Sequence, residues 1–390
     1  MIWSEQAVRV RAPATSANLG PGFDALGLAL ALHDGVEARI TGHGVSVTVS
    51  GEGADTAGLG ERHLVVRAMR TAFGAMGGQP PGISLACVNS IPHGRGLGSS
   101  AAAICTGLRA ARGLVPDGLA RMPDQELFRL AVDLEGHPDN VAACLAGGLV
   151  IAWRPVAAGA GGARLLRLGA VGGLSVVACV PPFPLPTHEA RQVLPATVPH
   201  ADAAANAARA ALLVAALTGE PPAVAGPSER TGPSARTGPS ARTGEPSVLF
   251  EATEDFLHQP YRAAVMPETA DLLGRLRKAG LAAVVSGAGP SVLIVSVPGE
   301  PLVSVPGEPP GREIPEVVDS IARETGITWR VIPLDIDRQG VTVQPIGMDA
   351  HQSGSARQGR SWNHAPGPGT RSAGGSPQDR PVSSASHGPP

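Results

Sequence analysis

Residues 91–103 read Ile-Pro-His-Gly-Arg-Gly-Leu-Gly-Ser-Ser-Ala-Ala-Ala. Gly94, Gly96 and Gly98 alternate with other residues, Ser99 and Ser100 follow at once, and alanines continue the run. Glycine permits positive φ and close backbone approach. Ser99 or Ser100 is placed to cap a helix that the alanines propagate. The pattern predicts a loop whose N–H groups point outward at the positive end of a helix, which is a cradle for phosphate. Two other phosphate loops fail here. A P-loop ends in Gly-Lys-Ser/Thr, and the sole lysine, Lys278, lies far away in Gly-Arg-Leu-Arg-Lys-Ala-Gly. A Rossmann loop needs G-x-G-x-x-G with an acidic residue about 20 residues on. Here the order is G-x-G-x-G-S-S, and Asp117 is the first acidic residue after it.

Outward from this loop, the N-terminal side opens with alternating residues 7–13, a strand signature. Residues 13–27 (PATSANLGPGFDALG) are rich in turn formers and predict a long loop, closed by the apolar segment 28–32. Phe23, Leu26 and Leu28 would anchor it, holding Asn18 and Asp24 firmly enough to bind a ligand. Two strands are expected within 36–50, a helix over 61–76 and a strand over 83–90 that leads into the glycine loop. The helix after the loop should run to about Arg112. A second helix, 124–135, ends in Glu135-Gly136-His137-Pro138-Asp139-Asn140. Glycine and proline stop it, and the crowding of polar side chains there marks a second candidate site.

Strands are expected near 149–153 and 174–180. Thr187 is placed to cap a short helix that carries Arg191, and 201–218 is an Ala-rich helix in which Asn206 and Arg209 serve packing. Residues 226–243 are three tandem hexapeptides, GPSERT, GPSART and GPSART, with no apolar face. They predict a disordered surface insertion. Further helices are expected over 247–262, which ends in His258-Gln259-Pro260-Tyr261-Arg262, and over 268–279. A strand–loop–strand unit follows over 281–297, around Ser286-Gly287-Ala288-Gly289-Pro290-Ser291. Residues 294–301 recur almost unchanged at 302–309. A helix at 313–324 and a strand at 328–333 end the ordered chain. From 351 on, only Trp362 and Val382 are bulky and apolar, which predicts disorder.

The chain has 390 residues, a formal net charge of −2 and 43% hydrophobic residues. It is long enough for two domains. Its near-neutral balance gives no reason to expect nucleic acid or a membrane as partner. Cys87, Cys105, Cys144 and Cys179 sit among apolar or small residues without a C-x-x-C, so buried free thiols are expected. No apolar run suits a membrane span or signal peptide. A cytoplasmic protein is the expectation.

Three motifs in this order, PATSANLGPGFDALG, IPHGRGLGSSAA and SGAGPSVL, resemble those of the GHMP small-molecule kinases. Within that superfamily the first motif, together with EGHPDN, THEARQVLP and HQPYR, is similar to the homoserine kinases in particular. The resemblance spans about 7–345, apart from the insertion. It implies an α+β fold of two domains. Residues 1–155 would form the ATP-binding domain with a left-handed βαβ unit. Residues 156–347 would form a ferredoxin-like domain, with 226–246 as insertion and 348–390 as tail.

The activity implied is ATP-dependent phosphorylation of the side-chain hydroxyl of L-homoserine, in threonine biosynthesis, with Mg²⁺. Pro92, His93, Gly94, Arg95, Gly96, Leu97, Gly98, Ser99, Ser100, Ala101 and Ala102 would form the nucleotide-binding segment, with the backbone N–H groups of its GLGSS stretch holding the β- and γ-phosphates. Ser100 and Glu135 would hold the metal, with Glu126 as the alternative to Glu135. Asp24 suits the substrate ammonium, with Asn18 beside it. Arg191 and Arg262 suit the carboxylate, because a guanidinium fork binds it bidentately. Thr187 and His137 complete the substrate pocket. Asp139 and Asn140 are the candidate catalytic residues, Asp139 either as general base or in a reaction that needs none. Gly287, Gly289 and Ser291 of the third motif would pack against the phosphate loop. Oligomeric state stays open, with a homodimer admissible. Competing readings are a GHMP kinase for a mevalonate-like acid or a sugar, a non-catalytic sensor on the same fold, and an interaction scaffold built on insertion and tail. The arginine pair with Asp24 and the intact GLGSSAA speak against the first two, and low complexity against the third.

Overall fold

The computed structural model describes residues 1–156, 162–219, 247–297 and 314–346. The hexapeptides, most of the octapeptide repeat and the tail lie outside these residues.

β1 (Ala7–Ala17) pairs antiparallel with the 16-residue β2 (Leu26–Thr41), with a register shift between Pro13 and Ala14. β1 alternates in burial to Val10 and is wholly buried from Ala12 on, as it passes into the middle of the sheet. Thr15 and Ser16 therefore belong to a strand and not to the predicted loop, which shrinks to 18–25. Their hydroxyls find buried partners described below, so burying them there is tolerated. β3 (Gly44–Gly51) follows, then α1 (Leu64–Ala75) and β4 (Gly82–Asn89). β3 and β4 are parallel, and α1 lies in the connection between them.

α2 (Ser99–Gly113) runs through the core and buries residues on all sides, from Ala101 and Ile104 to Ala110 and Ala111. Its small side chains let α1 and β1 approach closely. α3 (Gly118–Arg121), α4 (Asp124–Glu135) and α5 (Asp139–Ala146) complete this layer. Asp139 and Asn140 stand on the first turn of α5, a helix the sequence did not lead us to expect after the polar cluster.

β5 (Leu149–Trp153) pairs with the first residues of β2 and with β6 (Arg164–Leu168), an exposed strand with no apolar alternation to announce it. β7 (Ser175–Val180), α6 (Thr187–Gln192), α7 (His200–Thr218), α8 (Val248–Ala252), α9 (Gln259–Arg262) and α10 (Pro267–Lys278) come next. The predicted helix 247–262 is thus two short ones. Asp255 divides them, its carboxylate accepting from the N–H groups of Leu257, His258 and Gln259. Last come β8 (Ala283–Val285), β9 (Val292–Ser296), α11 (Ile314–Thr325), β10 (Arg330–Leu334) and β11 (Thr342–Ile346).

The first sheet has the order β11-β1-β2-β4-β3, with β5 joined to β2 and β6 to β5. The second has the antiparallel order β10-β7-β9-β8. Numbered along the chain that order is 4-1-3-2, and helices separate the first strand from the second and the third from the fourth: a ferredoxin-like unit. Leu272 and Leu276 of α10 and Val317, Val318 and Ile321 of α11 pack on its Cys179, Val292 and Ile294. Because β6 and β11 both join the first sheet, the two sheets do not divide at a single point in the chain. The four cysteines are free and buried. Among the described residues no helix is long and apolar enough to cross a membrane.

Candidate active site

The glycine loop enters α2 through Gly98, whose φ of 70° is left-handed. Neither serine caps the helix, contrary to the sequence expectation. Ser99 and Ser100 are its first two residues, and no side chain caps it. The first-turn N–H groups are thereby left available to a ligand anion. The loop is held from behind. Thr15 N–H donates to Leu97 O at 3.0 Å, and Leu185 N–H donates to Gly94 O at 2.8 Å. Arg95 spends its guanidinium on the carbonyls of His93, Pro181 and Pro182. A Cβ on Gly98 would lie 1.9 Å from Thr15 Oγ1, and one on Gly96 2.2 Å from Ser286 O. Only glycine fits either place.

The third motif closes on this loop and on β1. Ser286 Oγ donates to Gly96 O at 2.7 Å and lies 2.9 Å from Ser16 Oγ. Gly287 N–H donates to Ala17 O at 3.1 Å, and Asn18 Nδ2 donates to Gly287 O at 2.7 Å. Asn18 Oδ1 accepts from Asp24 N–H at 3.0 Å. Asn18, Leu19 and Asp24 all have positive φ, so the first-motif loop is tightly wound. Asn206 of α7 secures it from outside, donating to Pro21 O and accepting from Phe256 N–H.

Ser100 Oγ donates to Glu135 Oε2 at 2.7 Å. Burial pushes the Glu135 carboxyl above its usual range, against the lowering effects of Ser100, His137 and Arg191. His137 Nδ1 lies 3.0 Å from Asp139 Oδ1. Burial opposes the imidazolium, but the Asp139 hydrogen bond and the charges of Asp139 and Glu135 outweigh it and raise the His137 pKa. Asp139 Oδ1 also accepts from Asn140 N–H, and Asn140 Oδ1 accepts from Thr15 Oγ1 at 2.8 Å.

Arg191 meets Asp24 in a bidentate pair, Nη2 to Oδ1 at 2.6 Å and Nη1 to Oδ2 at 3.2 Å. Arg262 is 1% exposed. It donates to Ala190 O and Gly287 O. Burial and the nearby Arg191 charge lower its pKa to about 10, still cationic at neutral pH. Phe23 lies beneath both guanidinium groups, at 5.8 Å from Arg191 and 5.6 Å from Arg262. A cleft of about 110 Å³ is lined by Gly94, Gly98, Ser100, Glu135, Asp139 and Arg191, among others. A larger cavity of about 260 Å³ between Gly148, Arg167 and Arg338 contains no motif residue.

A phosphate-type helix end, a half-buried carboxyl beside a serine and an arginine paired with Asp24 thus share one cleft. Residues 63–148 match the family model of the GHMP kinases N terminal domain, and residues 244–323 that of the GHMP kinases C terminal. The chain is 46% identical over 340 residues to a homoserine kinase of Streptomyces coelicolor, which covers 87% of this chain and 95% of that protein. The chain belongs to the homoserine kinase family. Identity with the homoserine kinase of Mycobacterium tuberculosis is 43% over 288 residues, 74% of this chain and 83% of that one. A crystal structure of homoserine kinase from Cytophaga hutchinsonii shares the fold, with a TM-score of 0.65 at 24% identity over 87% of this chain and 98% of that one.

The homoserine kinase motifs read from sequence converge unevenly on the cleft. Asn18, Gly94, Gly96, Gly98, Ser99, Ser100, Glu135, His137, Asp139, Asn140, Thr187, Arg191, Arg262 and Gly287 line it. Leu97, Ala101 and Ala102 turn their side chains into the core. Ser291 is buried, and its Oγ has no hydrogen-bond partner among the described residues. Thr187 is the first residue of α6 and makes no capping bond; Pro186 holds the cap position. Glu126 is drawn off by Arg129, 2.6 Å away, which leaves Glu135 as the carboxylate beside Ser100. Phe23 and His258 were missed as site residues, because their importance lies in contacts with distant segments, Phe23 stacking under the arginines and His258 hydrogen-bonding Gly20 and Arg262, which the local sequence does not announce.

Proposed function

We propose that this chain transfers the γ-phosphoryl group of ATP to the side-chain hydroxyl of L-homoserine, giving O-phospho-L-homoserine for threonine biosynthesis. The observation that carries the reading is the meeting, in one cleft, of the open N-terminus of α2 with the Arg191–Asp24 pair and Arg262. A phosphorylated donor and a zwitterionic acceptor would need those two walls. Phosphoryl transfer runs through a loose transition state, so positioning and charge neutralisation supply most of the catalysis. The N–H groups at Gly98 to Ser100 would hold the β- and γ-phosphates. Arg191 and Arg262 would take the substrate carboxylate and Asp24 its ammonium.

Ser100 and Glu135 fit Mg²⁺, which takes one or two carboxylates and keeps several waters. A carboxyl that burial pushes toward its neutral form is stabilised by a cation. When bound, Mg²⁺ would neutralise phosphate charge. Glu135→Gln is expected to lower kcat/KM by about 10²-fold or more, since such neutralisation is worth several kcal/mol. The proton competes with the cation for Glu135. Its raised pKa therefore places that competition at higher pH than for an ordinary carboxylate, and the Mg²⁺ concentration for half-maximal rate should rise as pH falls. Magnesium titrations across pH measure this, and a pH-independent requirement would sink the assignment.

We assign no general base. Asp139 already accepts from His137 and Asn140, and His137 is biased toward its cation. Asn140 cannot accept a proton, and Thr15 occupies its Oδ1. The hydroxyl proton would leave late, to phosphate. Asp139→Asn should then keep turnover within about tenfold, whereas a true base contributes about 10²–10⁴-fold.

The test of the function is Mg²⁺-dependent ADP release with L-homoserine set against mevalonate, L-serine and galactose. Release with homoserine alone is expected. Release with another alcohol would overturn the substrate wall while keeping the phosphate site.

A further inference from the structure

His258 belongs to the HQPYR segment but has no part in the chemistry above. Its side chain is fully buried. Nε2 lies 2.9 Å from Gly20 O in the first-motif loop, and Nδ1 lies 3.0 Å from Arg262 Nη1. A carbonyl only accepts and a guanidinium only donates. One proton arrangement serves both contacts: Nε2 carries hydrogen and donates to Gly20, while bare Nδ1 accepts from Arg262. That is a neutral imidazole. The ring also stacks on Phe23, with centroids 5.3 Å apart. With Arg262 Nε held by Ala190 O and Nη1 by His258 and Gly287 O, Nη2 is its one nitrogen without a protein acceptor among the described residues.

We propose that His258 is a positioning residue: as a neutral imidazole it ties the first-motif loop to Arg262 and fixes the guanidinium for the substrate carboxylate, and protonation undoes that clamp. This rests on the homoserine reading of the site. An imidazolium has no lone pair for Arg262 and would set two cations together.

The charged groups facing the ring come from four segments. Asp255, before α9, has Oδ2 3.6 Å from Nε2. Arg262 stands on α9 itself. Asp24 acts from the first-motif loop, and Arg191 of α6 lies over the Phe23 ring on which His258 stacks. Burial and the Arg262 charge disfavour protonation, while Asp255, the Gly20 hydrogen bond and Asp24 favour it; burial dominates and lowers the pKa. Asp255 is meanwhile engaged by three backbone N–H groups. The native arrangement therefore persists at neutral pH and is lost as pH falls below the usual histidine range, near about 6.5.

The test is binding of L-homoserine to the full-length protein by calorimetry between about pH 5 and 8, with kinetics alongside. His258→Ala should weaken homoserine binding about tenfold or more, the scale of one hydrogen bond to a charged group, with ATP affinity unchanged. His258→Asn, whose Oδ1 can replace Nδ1 as acceptor, should recover most of that affinity. The unaltered protein should lose homoserine affinity in acid, and the Asn variant should lose less. Native affinity in the Ala variant, or an identical acid limb in the Asn variant, would overturn the proposal. If the Ala variant does not fold, the pH comparison with Asn decides alone. Absence of homoserine binding in unaltered protein that still binds ATP removes the substrate reading as well, whereas failure of the variants and pH arms removes only the role of His258.

Discussion

Gly98→Ala is expected to lower kcat/KM for ATP by about 10²–10³-fold, the loss seen when one preorganised donor to a transition-state oxyanion is removed. The cause is geometric. Gly98 stands at φ 70°, where a side chain costs roughly 1–3 kcal/mol in strain. Its Cβ would also sit 1.9 Å from Thr15 Oγ1. Thr15 cannot step aside cheaply, because its hydroxyl donates to Asn140 and its N–H holds Leu97 O. The loop must move, and the N–H groups at the start of α2 move with it. Homoserine binding should change far less, since Arg191 and Arg262 stand on other elements. Melting temperature, measured on the same samples, separates this from global unfolding. A folded Gly98→Ala protein with native turnover would show that the loop does not hold the phosphates.

Asp24→Asn should raise KM for homoserine by about 10–100-fold, the range for a charge-assisted hydrogen bond, with kcat little changed. The more telling outcome concerns selectivity. Without ligand, Asp24 and Arg191 satisfy each other through two hydrogen bonds, each side chain about one-third exposed. A zwitterion can exchange with that pair charge for charge, its ammonium replacing Arg191 on Asp24 and its carboxylate replacing Asp24 on Arg191. A deaminated analogue such as 4-hydroxybutyrate must break the pair and leave Asp24 without a partner. In the unaltered protein homoserine should therefore bind far better than 4-hydroxybutyrate. In Asp24→Asn the gap should narrow, because no carboxylate is left stranded. The two inhibition or binding constants in both proteins measure it. An unchanged gap would mean that Asp24 does not meet the ammonium.

Much of this site was legible in the chain. Gly94, Gly96, Gly98 and the Ser-Ser pair specify a loop entering a helix, because few other sequences tolerate that backbone. Once the resemblance implied an amino-acid substrate, Asp24, Arg191 and Arg262 could be matched to its two ends by charge. What escaped was contact between distant segments. Ser99 and Ser100 have the chemistry of caps, yet Gly98 takes that place; Ser100 turns its hydroxyl to Glu135, 35 positions away. β6 and β11 carry weak local signals, and pairing with β5 and β1 makes them strands. Thr15 and Ser16 looked like turn residues because their partners, Asn140 and Ser286, lie far along the chain.

The sequence by itself determined the glycine loop, the helical layer around it and the residue types available to bind a zwitterion, since these depend on local backbone freedom and side-chain charge. Only the tertiary structure decided that Asp24 and Arg191 pair with each other, that Glu135 rather than Glu126 stands beside Ser100, and that His258 is neutral and bonded to Arg262. Those outcomes depend on burial and on the direction of individual hydrogen bonds, which exist only once segments far apart in the chain have been brought within about 3 Å.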